Sequence, residues 1–501
     1  MFNLNTFFPL FDRETTHNNS YKDNDDHNSD DKSETSCELD VKSDFSGSTT
    51  IDYTNECIQE TDRDSKMPIP ICLVDGFLCS PNMNIWHDLI AHFRESSFKK
   101  QQSCPLIVRP NSGGVSSAYD TAVSIFYQLK GGLEDYGEIH SKNHYHHRFG
   151  KKHVGQYKRW SKRYPLNFIG HSFGGNVILL LQKLLNEKIF YNHMTGERYD
   201  TDSSWICSVS TISSPLKGST GTLLLGHQIG NPGSVDLISV GRLLYGICHL
   251  WEWLELPGLK SMIGVDFRMS HFKLNEDRSF FNLAKNLLTL NCFEKGVDTA
   301  AYDISLERCD LAPLKTFDTT YYRSYCAKLT NTDLETKCEI PIEHWCLPLV
   351  ALSRKIGNFD FKTIGNGALA KFEKEQALWR ANDGLVPLIS QFHPGKCSPT
   401  TCKHYDFKLD DEPTDHNDAL NNIKPGVWYS TTVQNCSHID LIPCITPPLR
   451  SLWEKVSKFV INSAEPPIAK YDPELIENYR TCIFNDYENF LNQIEKERFS
   501  K

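Results

Sequence analysis

The stretch that decides the fold runs from Leu166 to Leu185 and reads LNFIGHSFGGNVILLLQKLL. An apolar, β-prone run, Leu166 to Ile169, precedes a glycine-rich turn, and a helix-forming run, Asn176 to Leu185, follows it. A serine at the tip of such a turn needs a strained backbone, and the flanking Gly170 and Gly174 leave room for the adjoining strand and helix. The sequence therefore predicts a strand, a sharp turn that exposes a serine, and a helix.

Ser172, at the tip of this turn, is the candidate nucleophile. The next residue, Phe173, begins the helix, where amide groups are unpaired and the helix dipole favours an anion. Its N–H is therefore a candidate oxyanion donor. A Gly-x-Ser-x-Gly pattern also occurs in ordinary turns, so the strand before it and the helix after it are what favour catalysis.

The chain around this turn alternates strands with helices. Predicted strands at Pro68 to Val74, Pro105 to Val108 and Ile206 to Ile212 are interleaved with helical runs at Trp86 to Phe93 and Ala118 to Leu129. This alternation predicts an α/β fold with a mostly parallel, doubly wound sheet. The loop after the first strand, Asp75-Gly76-Phe77, is where such folds supply a second oxyanion amide, although Gly-Phe after a strand is also common in plain turns.

Charge is unevenly distributed over the 501 residues. The first 66 residues hold 16 acidic against 6 basic side chains and are rich in Asn and Ser, which predicts a disordered acidic tail. This tail accounts for the formal net charge of −10, so the remainder is neutral and does not predict a nucleic-acid surface. The 17 cysteines are an odd count without a CxxC pair, which favours reduced thiols over a zinc ribbon or a disulfide framework.

Export and membrane signals are weak. No apolar run reaches the roughly 18 residues that a membrane span needs, and the N-terminus, MFNLNTFFPLFDRE, lacks a preceding basic segment. The expected location is therefore the cytoplasm, with secretion as the alternative.

Two segments each have two interpretations. The segment from 131 to 165 contains His140, His144, His146 and His147, and it is either a solvated loop or part of a metal site; His140 and His146 could meet only across a bend. The apolar segment Val235 to Leu256 is either a buried helix or a flap over an apolar channel. The flap would expose Leu243, Leu244, Ile247 and Leu250 when open.

Seven blocks, taken in order, resemble the large lipases typified by thermophilic bacilli and staphylococci, over about Pro68 to Val460. The blocks are IPICLVDGFL, SSAYDTAVSIFYQLKGGLEDYGEIHSKNHYHHRFGKK, IGHSFGGNVILLL, VSTISSPLKGST, GVDTAAYDIS, LWRANDGLVPLIS and CSHIDLIP. The resemblance implies an α/β-hydrolase fold with a helical lid and an inserted zinc-binding subdomain. It also implies hydrolysis of acylglycerols and shorter esters at a lipid-water interface. The bacterial members of this family are exported, and many carry a calcium site.

The resemblance assigns roles to individual residues. It implies a catalytic triad of Ser172, Asp383 and His438, and neither Asp383 nor His438 could be chosen by spacing alone. The oxyanion amides would be those of Phe77 and Phe173. The zinc ligands would be Asp120, His140, His146 and Asp298, a donor set suited to a closed tetrahedral site, with His144 and His147 as bystanders.

Two positions depart from the family pattern. Asp75 replaces the usual histidine of His-Gly-Phe, and an ionised carboxylate close to the oxyanion would oppose the negative transition state. Asp440 keeps the first acid of the calcium site, but Ile445 replaces the second, so calcium is expected to be lost or weak.

The predicted organisation is a disordered tail at 1–66, an α/β-hydrolase lipase domain at 67–463 with its lid at about 216–262, and a C-terminal helical extension at 464–501. The predicted function is a serine ester hydrolase acting on acylglycerols through an acyl-enzyme. The alternatives are a carboxylesterase or phospholipase with the same triad, and a catalytically silent hydrolase fold that binds lipid or protein. The intact triad argues against silence, whereas Asp75 argues modestly for it.

Overall fold

The described part of the chain is built on a sheet of seven parallel strands. The structure, a computed structural model, describes residues 67–79, 83–231, 234–236, 238–254, 268–272, 279–288, 297–311, 313–364, 370–407, 422–442 and 470–499. The predicted acidic tail at 1–66 lies outside these residues.

The strands of the described residues, in chain order, are β1 (Ile71–Val74), β2 (Ile107–Val108), β3 (Gly132–Asp135), β4 (Phe149–His153), β5 (Leu166–His171), β6 (Tyr191–Asn192), β7 (Glu197–Arg198), β8 (Ile206–Ile212), β9 (Tyr321–Lys328), β10 (Thr330–Thr332), β11 (Glu339–Pro341), β12 (Cys402–Phe407) and β13 (Trp428–Gln434). The large sheet has the order β12-β13-β9-β8-β5-β1-β2, with every neighbouring pair parallel. The pairs β3/β4, β6/β7 and β10/β11 are antiparallel. The predicted mostly parallel sheet is confirmed.

The helices are α1 (His87–Lys100), α2 (Ala118–Lys130), α3 (Glu138–His144), α4 (Phe173–Asn186), α5 (Gly221–Leu224), α6 (Val240–Leu254), α7 (Phe280–Leu288), α8 (Ala300–Asp303), α9 (Leu306–Leu311), α10 (Leu347–Gly357), α11 (Ala370–Glu373), α12 (Gln376–Arg380), α13 (Leu388–Phe392) and α14 (Pro473–Phe499). Short 3₁₀ turns lie at Ser203–Trp205, Ser270–Phe272 and Phe361–Ile364.

The strand order reverses direction beside β1. The chain leaves β1 for the edge strand β2 and then returns to place β5 on the other side of β1. In open parallel sheets, ligands bind at the carboxyl ends of the strands where the order reverses. The serine turn follows β5 and the Asp75-Gly76-Phe77 loop follows β1, so both lie at this position.

Burial explains why the central strands are continuous runs of mostly apolar residues. Every residue of β5 and β8 is buried, as expected for strands covered on both faces. The strand predicted to end at Ile169 continues through Gly170 and His171, because these residues pair with Thr211 and Ile212 of β8.

The C-terminal helix α14 packs onto one face of this sheet. Its buried side chains include Tyr487, Phe490 and Ile494, which share a core cluster with Ile71 and Leu73 of β1. The structure thus has a single 27-residue helix within the predicted C-terminal helical extension. The predicted domain boundaries stay predictions.

Candidate active site

The turn between β5 and α4 holds Ser172 in a strained conformation. Its φ of 53° and ψ of −128° lie outside the regions that non-glycine residues favour, at a cost of about 1–3 kcal/mol. A Cβ on Gly170 would lie 2.6 Å from the carbonyl carbon of Gly174, and a Cβ on Gly174 would collide with the Val74 carbonyl oxygen. The glycines of the turn are therefore required by close backbone packing.

A continuous chain of hydrogen bonds joins the three residues predicted as a triad. The Ser172 Oγ lies 2.9 Å from His438 Nε2, and His438 Nδ1 lies 2.8 Å from Asp383 Oδ2. Asp383 is fully buried, and His438 is nearly so. The structure thus brings together side chains that are 266 and 55 residues apart in sequence.

The loop of Asp383 fixes its carboxylate. Oδ1 accepts hydrogen bonds from the backbone amides of Leu385, at 2.9 Å, and Val386, at 2.8 Å. The Asp383 carbonyl accepts from the His438 amide at 2.9 Å. Oδ2 is consequently directed at the imidazole, an arrangement that favours one tautomer of His438.

His171, which is not among the predicted site residues, contacts the backbone of His438. Its Nε2 lies 2.9 Å from the His438 carbonyl oxygen. Complete burial, followed by the proximity of His438, lowers the pKa of His171 to about 3. The ring is therefore neutral at pH 7, and Nε2–H donates to that carbonyl. Its position inside the Gly-x-Ser motif is the sequence signal that could have drawn attention to it.

The two residues predicted to supply oxyanion amides, Phe77 and Phe173, both lie near the serine: Phe77 lines the same cavity as Ser172, and Phe173 follows it in the chain. A Cβ on Gly76 would lie 2.8 Å from the Ser172 Cβ, so the loop after β1 packs directly against the serine turn. Phe173 is the first residue of α4. Within the described residues, neither amide is paired with a backbone carbonyl. Both amides therefore stay the predicted donors to an oxyanion at Ser172.

Asp75 is bound by two partners instead of facing the serine as an isolated charge. Arg109 donates to Oδ1 and Oδ2 at 3.0 Å each, and the indole Nε1 of Trp86 donates to Oδ1 at 2.7 Å. Burial raises the pKa of Asp75, and Arg109 opposes that rise. The expected repulsion of an oxyanion is thus offset by the guanidinium, a compensation that sequence alone did not reveal.

An apolar cavity of about 240 Å³ opens at the serine. Ser172 and His438 line it together with Phe77, and α6 contributes Leu244 and Tyr245. The opposite face of α6 exposes Leu243 (64%), Ile247 (47%) and Leu250 (43%) to solvent. Of the four leucine and isoleucine residues predicted to be exposed when a flap opens, Leu244 lines the cavity in this structure. Residues 232–233, 237 and 255–262 of the predicted lid lie outside the described residues.

The predicted zinc ligands converge at a second place. The His140 Nε2 lies 3.0 Å from Asp120 Oδ1 and 3.4 Å from Asp298 Oδ2, and the His146 Nε2 lies 3.3 Å from that same Asp298 oxygen. The required bend is present, because α3 ends at a left-handed Tyr145 with φ of 59°.

These four side chains fit a metal ion. The buried His146 Nε2 and Asp298 Oδ2 lie 3.3 Å apart, yet among the described residues neither atom makes a hydrogen bond of good geometry. All four donor atoms lie within 4.8 Å of one another, and two imidazoles with two carboxylates form a plausible tetrahedral set. His271, missed from the sequence, contacts Asp120 Oδ2 at 2.8 Å through Nε2, as outer residues around metal sites do.

A second group of potential ligands, His393, Cys397, Cys402 and His404, also has its donor atoms within 4.8 Å. This group lacks a CxxC pair and was not among the predicted sites. Its spacing, HxxxCxxxxCxH in HPGKCSPTTCKH, is the signal that could have revealed it.

Asp440, the acid that keeps the first position of the family's calcium site, makes hydrogen bonds to other groups of the protein. Its Oδ1 lies 3.2 Å from the His344 Nε2 and accepts from the Tyr471 hydroxyl at 3.2 Å, while Oδ2 accepts from the Ser437 amide at 2.7 Å. The second position, Ile445, lies outside the described residues, so weak calcium binding stays a prediction.

The parallel sheet, the serine at a strained strand-to-helix turn and the apposed histidine and acid together define an α/β-hydrolase. The chain belongs to the family described as lipase-like, C-terminal domain, whose model matches residues 107–459. The resemblance to staphylococcal and bacillus-type lipases is confirmed.

The relatives and solved structures are consistent with this family. The chain is 25% identical to the lipase of Staphylococcus hyicus over 417 residues, covering 78% of this chain and 56% of that protein. It is 26% identical to lipase 1 of Staphylococcus aureus over 374 residues, covering 72% and 46% respectively. The chain thus spans about half the length of the curated relatives it matches.

The fold itself is shared with solved structures. The crystal structure of Staphylococcus hyicus lipase matches with a TM-score of 0.59 at 22% identity, covering 85% of this chain and 96% of that one. EstA from Clostridium botulinum matches with a TM-score of 0.53 at 23% identity, covering 79% and 88%. The predicted α/β-hydrolase fold class is confirmed.

The predicted cytoplasmic location is wrong in the light of these relatives. They are staphylococcal lipases, and the bacterial lipases that the sequence resembles are exported. The N-terminal residues on which the prediction depended lie outside the described residues. Among the described helices, none is both long enough and apolar enough to cross a bilayer.

Proposed function

We propose that the protein is a serine ester hydrolase that cleaves acylglycerols at a lipid-water interface. The observation that carries this proposal is the hydrogen-bonded series from Ser172 through His438 to Asp383, with distances of 2.9 and 2.8 Å, at the mouth of an apolar cavity. An apolar cavity suits an acyl chain, and the hydroxyl at its mouth suits attack on the ester carbonyl.

In the proposed mechanism, His438 Nε2 accepts the Ser172 proton as the oxygen attacks the carbonyl. Asp383 holds the imidazole tautomer and stabilises the imidazolium. The Phe77 and Phe173 amides donate to the developing oxyanion, each contributing about 3 kcal/mol. His438 then protonates the leaving alcohol, and water attacks the acyl-enzyme with the same histidine as the base.

The exposed apolar face of α6 supports action at a lipid surface. Leu243, Ile247 and Leu250 form one side of this helix, and the neighbouring α7 exposes Phe280 (74%) and Phe281 (78%). A helix that lines the cavity with one face and presents apolar side chains with the other is suited to a lid that lipid displaces.

The test is hydrolysis of emulsified triacylglycerol and of a soluble short-chain ester by the wild type and by Ser172→Ala. We expect wild-type activity on both, with a rise when the substrate exceeds its solubility, and loss of both activities in Ser172→Ala. Equal rates below and above the solubility limit would indicate the alternative carboxylesterase. Activity on phospholipid alone would indicate a phospholipase, and no activity on any ester would indicate the silent form.

We also propose that Asp120, His140, His146 and Asp298 bind zinc as a structural ion. The ion would connect α2, the region of α3 and the segment that precedes α8. This assignment is supported by the buried His146 Nε2 and Asp298 Oδ2, which make no well-aligned hydrogen bond among the described residues. His146→Ala should lose one equivalent of bound zinc, measured by elemental analysis, whereas the neighbouring His144→Ala should retain it. Equal metal content in both variants would contradict the proposal.

A further inference from the structure

We propose that His393, Cys397, Cys402 and His404 form a second zinc site. It is separate from the triad and from the carboxylate-histidine cluster, which is the proposed first zinc site of Asp120, His140, His146 and Asp298. Two thiolates and two imidazoles are the ligand set of structural zinc. The four donor atoms lie within 4.8 Å of one another, so modest side-chain adjustment would place each of them about 2.0–2.3 Å from a common ion.

The two donors on the inner side are held by the sheet. His393 follows α13, whose last residue, Phe392, has its carbonyl fixed by the hydroxyls of Ser324 and Ser430 at 2.5 and 2.7 Å. Cys402 begins β12, beside β13. Both side chains are buried, with 2% and 4% exposure. These two ligands are therefore already held in place before an ion binds.

The His393 ring is already oriented for metal binding. Its Nδ1 lies 3.0 Å from the Pro394 carbonyl oxygen, an arrangement in which Nδ1–H donates and Nε2 keeps its lone pair. A backbone carbonyl that holds the far nitrogen in this way is typical of histidines that ligate zinc.

The two outer donors close the site from the solvent side. The Cys397 Sγ lies 2.7 Å from the Cys402 Sγ and 3.2 Å from the His404 Nε2. The His404 ring packs edge-on against Phe392, with centroids 4.6 Å apart. Cys397 and His404 are exposed, which provides a route for an ion to enter.

The position of the site suggests a structural role. Strand β12 is an edge strand, paired within the described residues only with β13. The ion would connect the start of this strand to the end of α13, and α13 begins shortly after Asp383. The proposed zinc would thus fasten the sheet edge to the segment that carries the proposed catalytic acid.

Cobalt substitution of the full-length protein tests the site directly. Cobalt bound to thiolates gives an intense sulfur-to-metal charge-transfer band in the near ultraviolet, which the carboxylate-histidine cluster cannot give. We expect this band in the wild type, in His146→Ala and in Cys104→Ser, which changes an exposed cysteine elsewhere. The double variant Cys397→Ser/Cys402→Ser should lack this band. By elemental analysis it should also contain one equivalent of zinc less than the wild type.

A protein that lacks the band, or a double variant with unchanged zinc content, would overturn the proposal. So would recovery of a Cys397–Cys402 disulfide from the protein purified under reducing conditions. If the double variant does not fold, His404→Gln, altered on the exposed side, should still fold and bind zinc at least tenfold more weakly. X-ray absorption of the zinc-loaded wild type should also contain a sulfur shell at about 2.3 Å, and its absence would contradict the site.

Discussion

At the scale of single residues, the proposed site depends on two histidines in different electrostatic environments. His438 contacts a buried carboxylate and the serine hydroxyl, whereas His171 is fully buried, has a strongly lowered pKa and donates to the His438 carbonyl. The first is suited to carry a proton during the reaction, and the second is suited to stay neutral. Each arrangement gives a prediction.

Asp383→Asn should leave the loop hydrogen bonds largely intact but remove the charge that stabilises the His438 imidazolium. We expect kcat on a soluble ester to fall by about 10⁴-fold with little change in KM. Steady-state kinetics check this result, with Asp200→Asn as the control, since that side chain is 92% exposed. A loss of less than tenfold would contradict the role of Asp383.

His171 should make the fold sensitive to acid. Its pKa of about 3 in the folded protein lies below the ordinary value of about 6.5 for the unfolded chain. The unfolded chain therefore binds a proton that the folded protein excludes, so stability is present above pH 6.5 and is lost as the pH falls towards 3.

Between pH 7.5 and pH 5, this residue should remove about 2 kcal/mol from the free energy of unfolding. The glutamine in His171→Gln keeps a donor near the His438 carbonyl but does not titrate. Between the two pH values, the free energy of unfolding of this variant should therefore fall by about 2 kcal/mol less than that of the wild type. Urea unfolding at the two pH values measures the difference. The same pH dependence in both proteins would show that His171 is not the group responsible.

At the scale of elements, α6 and α14 use their apolar residues in opposite ways. Helix α6 exposes Leu243, Ile247 and Leu250 next to the cavity, and α14 buries Tyr487, Phe490 and Ile494 against the sheet. Exposed apolar faces of this kind commonly mark an interaction surface, whereas buried ones are part of the core.

Replacing exposed apolar residues of α6 should weaken action at an interface without harming the fold. Leu243→Ser/Ile247→Ser should lower the rate on emulsified triacylglycerol by roughly tenfold, because less apolar surface can enter the lipid. Its rate on a soluble ester and its stability should be unchanged, within about 0.5 kcal/mol for the latter. Leu334→Ser, at an 81% exposed position elsewhere, is the control. Equal losses on both substrates would argue against a lid.

Helix α14 should be essential to stability through one buried ion pair. Asp486 Oδ2 accepts from Arg323 Nη2 at 2.7 Å and from the Tyr325 hydroxyl at 2.8 Å, and the Arg323 side chain is only 3% exposed. Asp486→Ala would leave that guanidinium buried without its partner, so the free energy of unfolding should fall by about 3–5 kcal/mol.

Urea unfolding of the full-length variant measures this loss. Glu477→Ala on the same helix is the control, because the Glu477 side chain is 64% exposed and its removal should cost less than about 1 kcal/mol. A comparable, small effect of both substitutions would mean that α14 is not held by the Arg323 pair.

At the scale of the whole molecule, local patterns were readable from sequence and distant contacts were not. The serine turn was predicted because strand, turn and helix are consecutive and their glycine requirement is local. His438 reaches Ser172 only because the sheet order brings the ends of β5 and β13 to one edge, so it was identified by resemblance. The Asp75–Arg109 and His271–Asp120 contacts, between residues 34 and 151 apart, had no sequence signal.

Labelling with a fluorophosphonate probe, followed by peptide mapping, tests the proposed acylation centre most directly. The wild type should acquire one adduct on Ser172, because in the proposed mechanism His438 activates that hydroxyl beside two oxyanion amides. Labelling should be abolished in Ser172→Ala and slowed by orders of magnitude in a folded His438→Ala variant. A wild-type protein that remains unlabelled at Ser172, or one that is labelled equally fast without His438, would contradict the proposed centre.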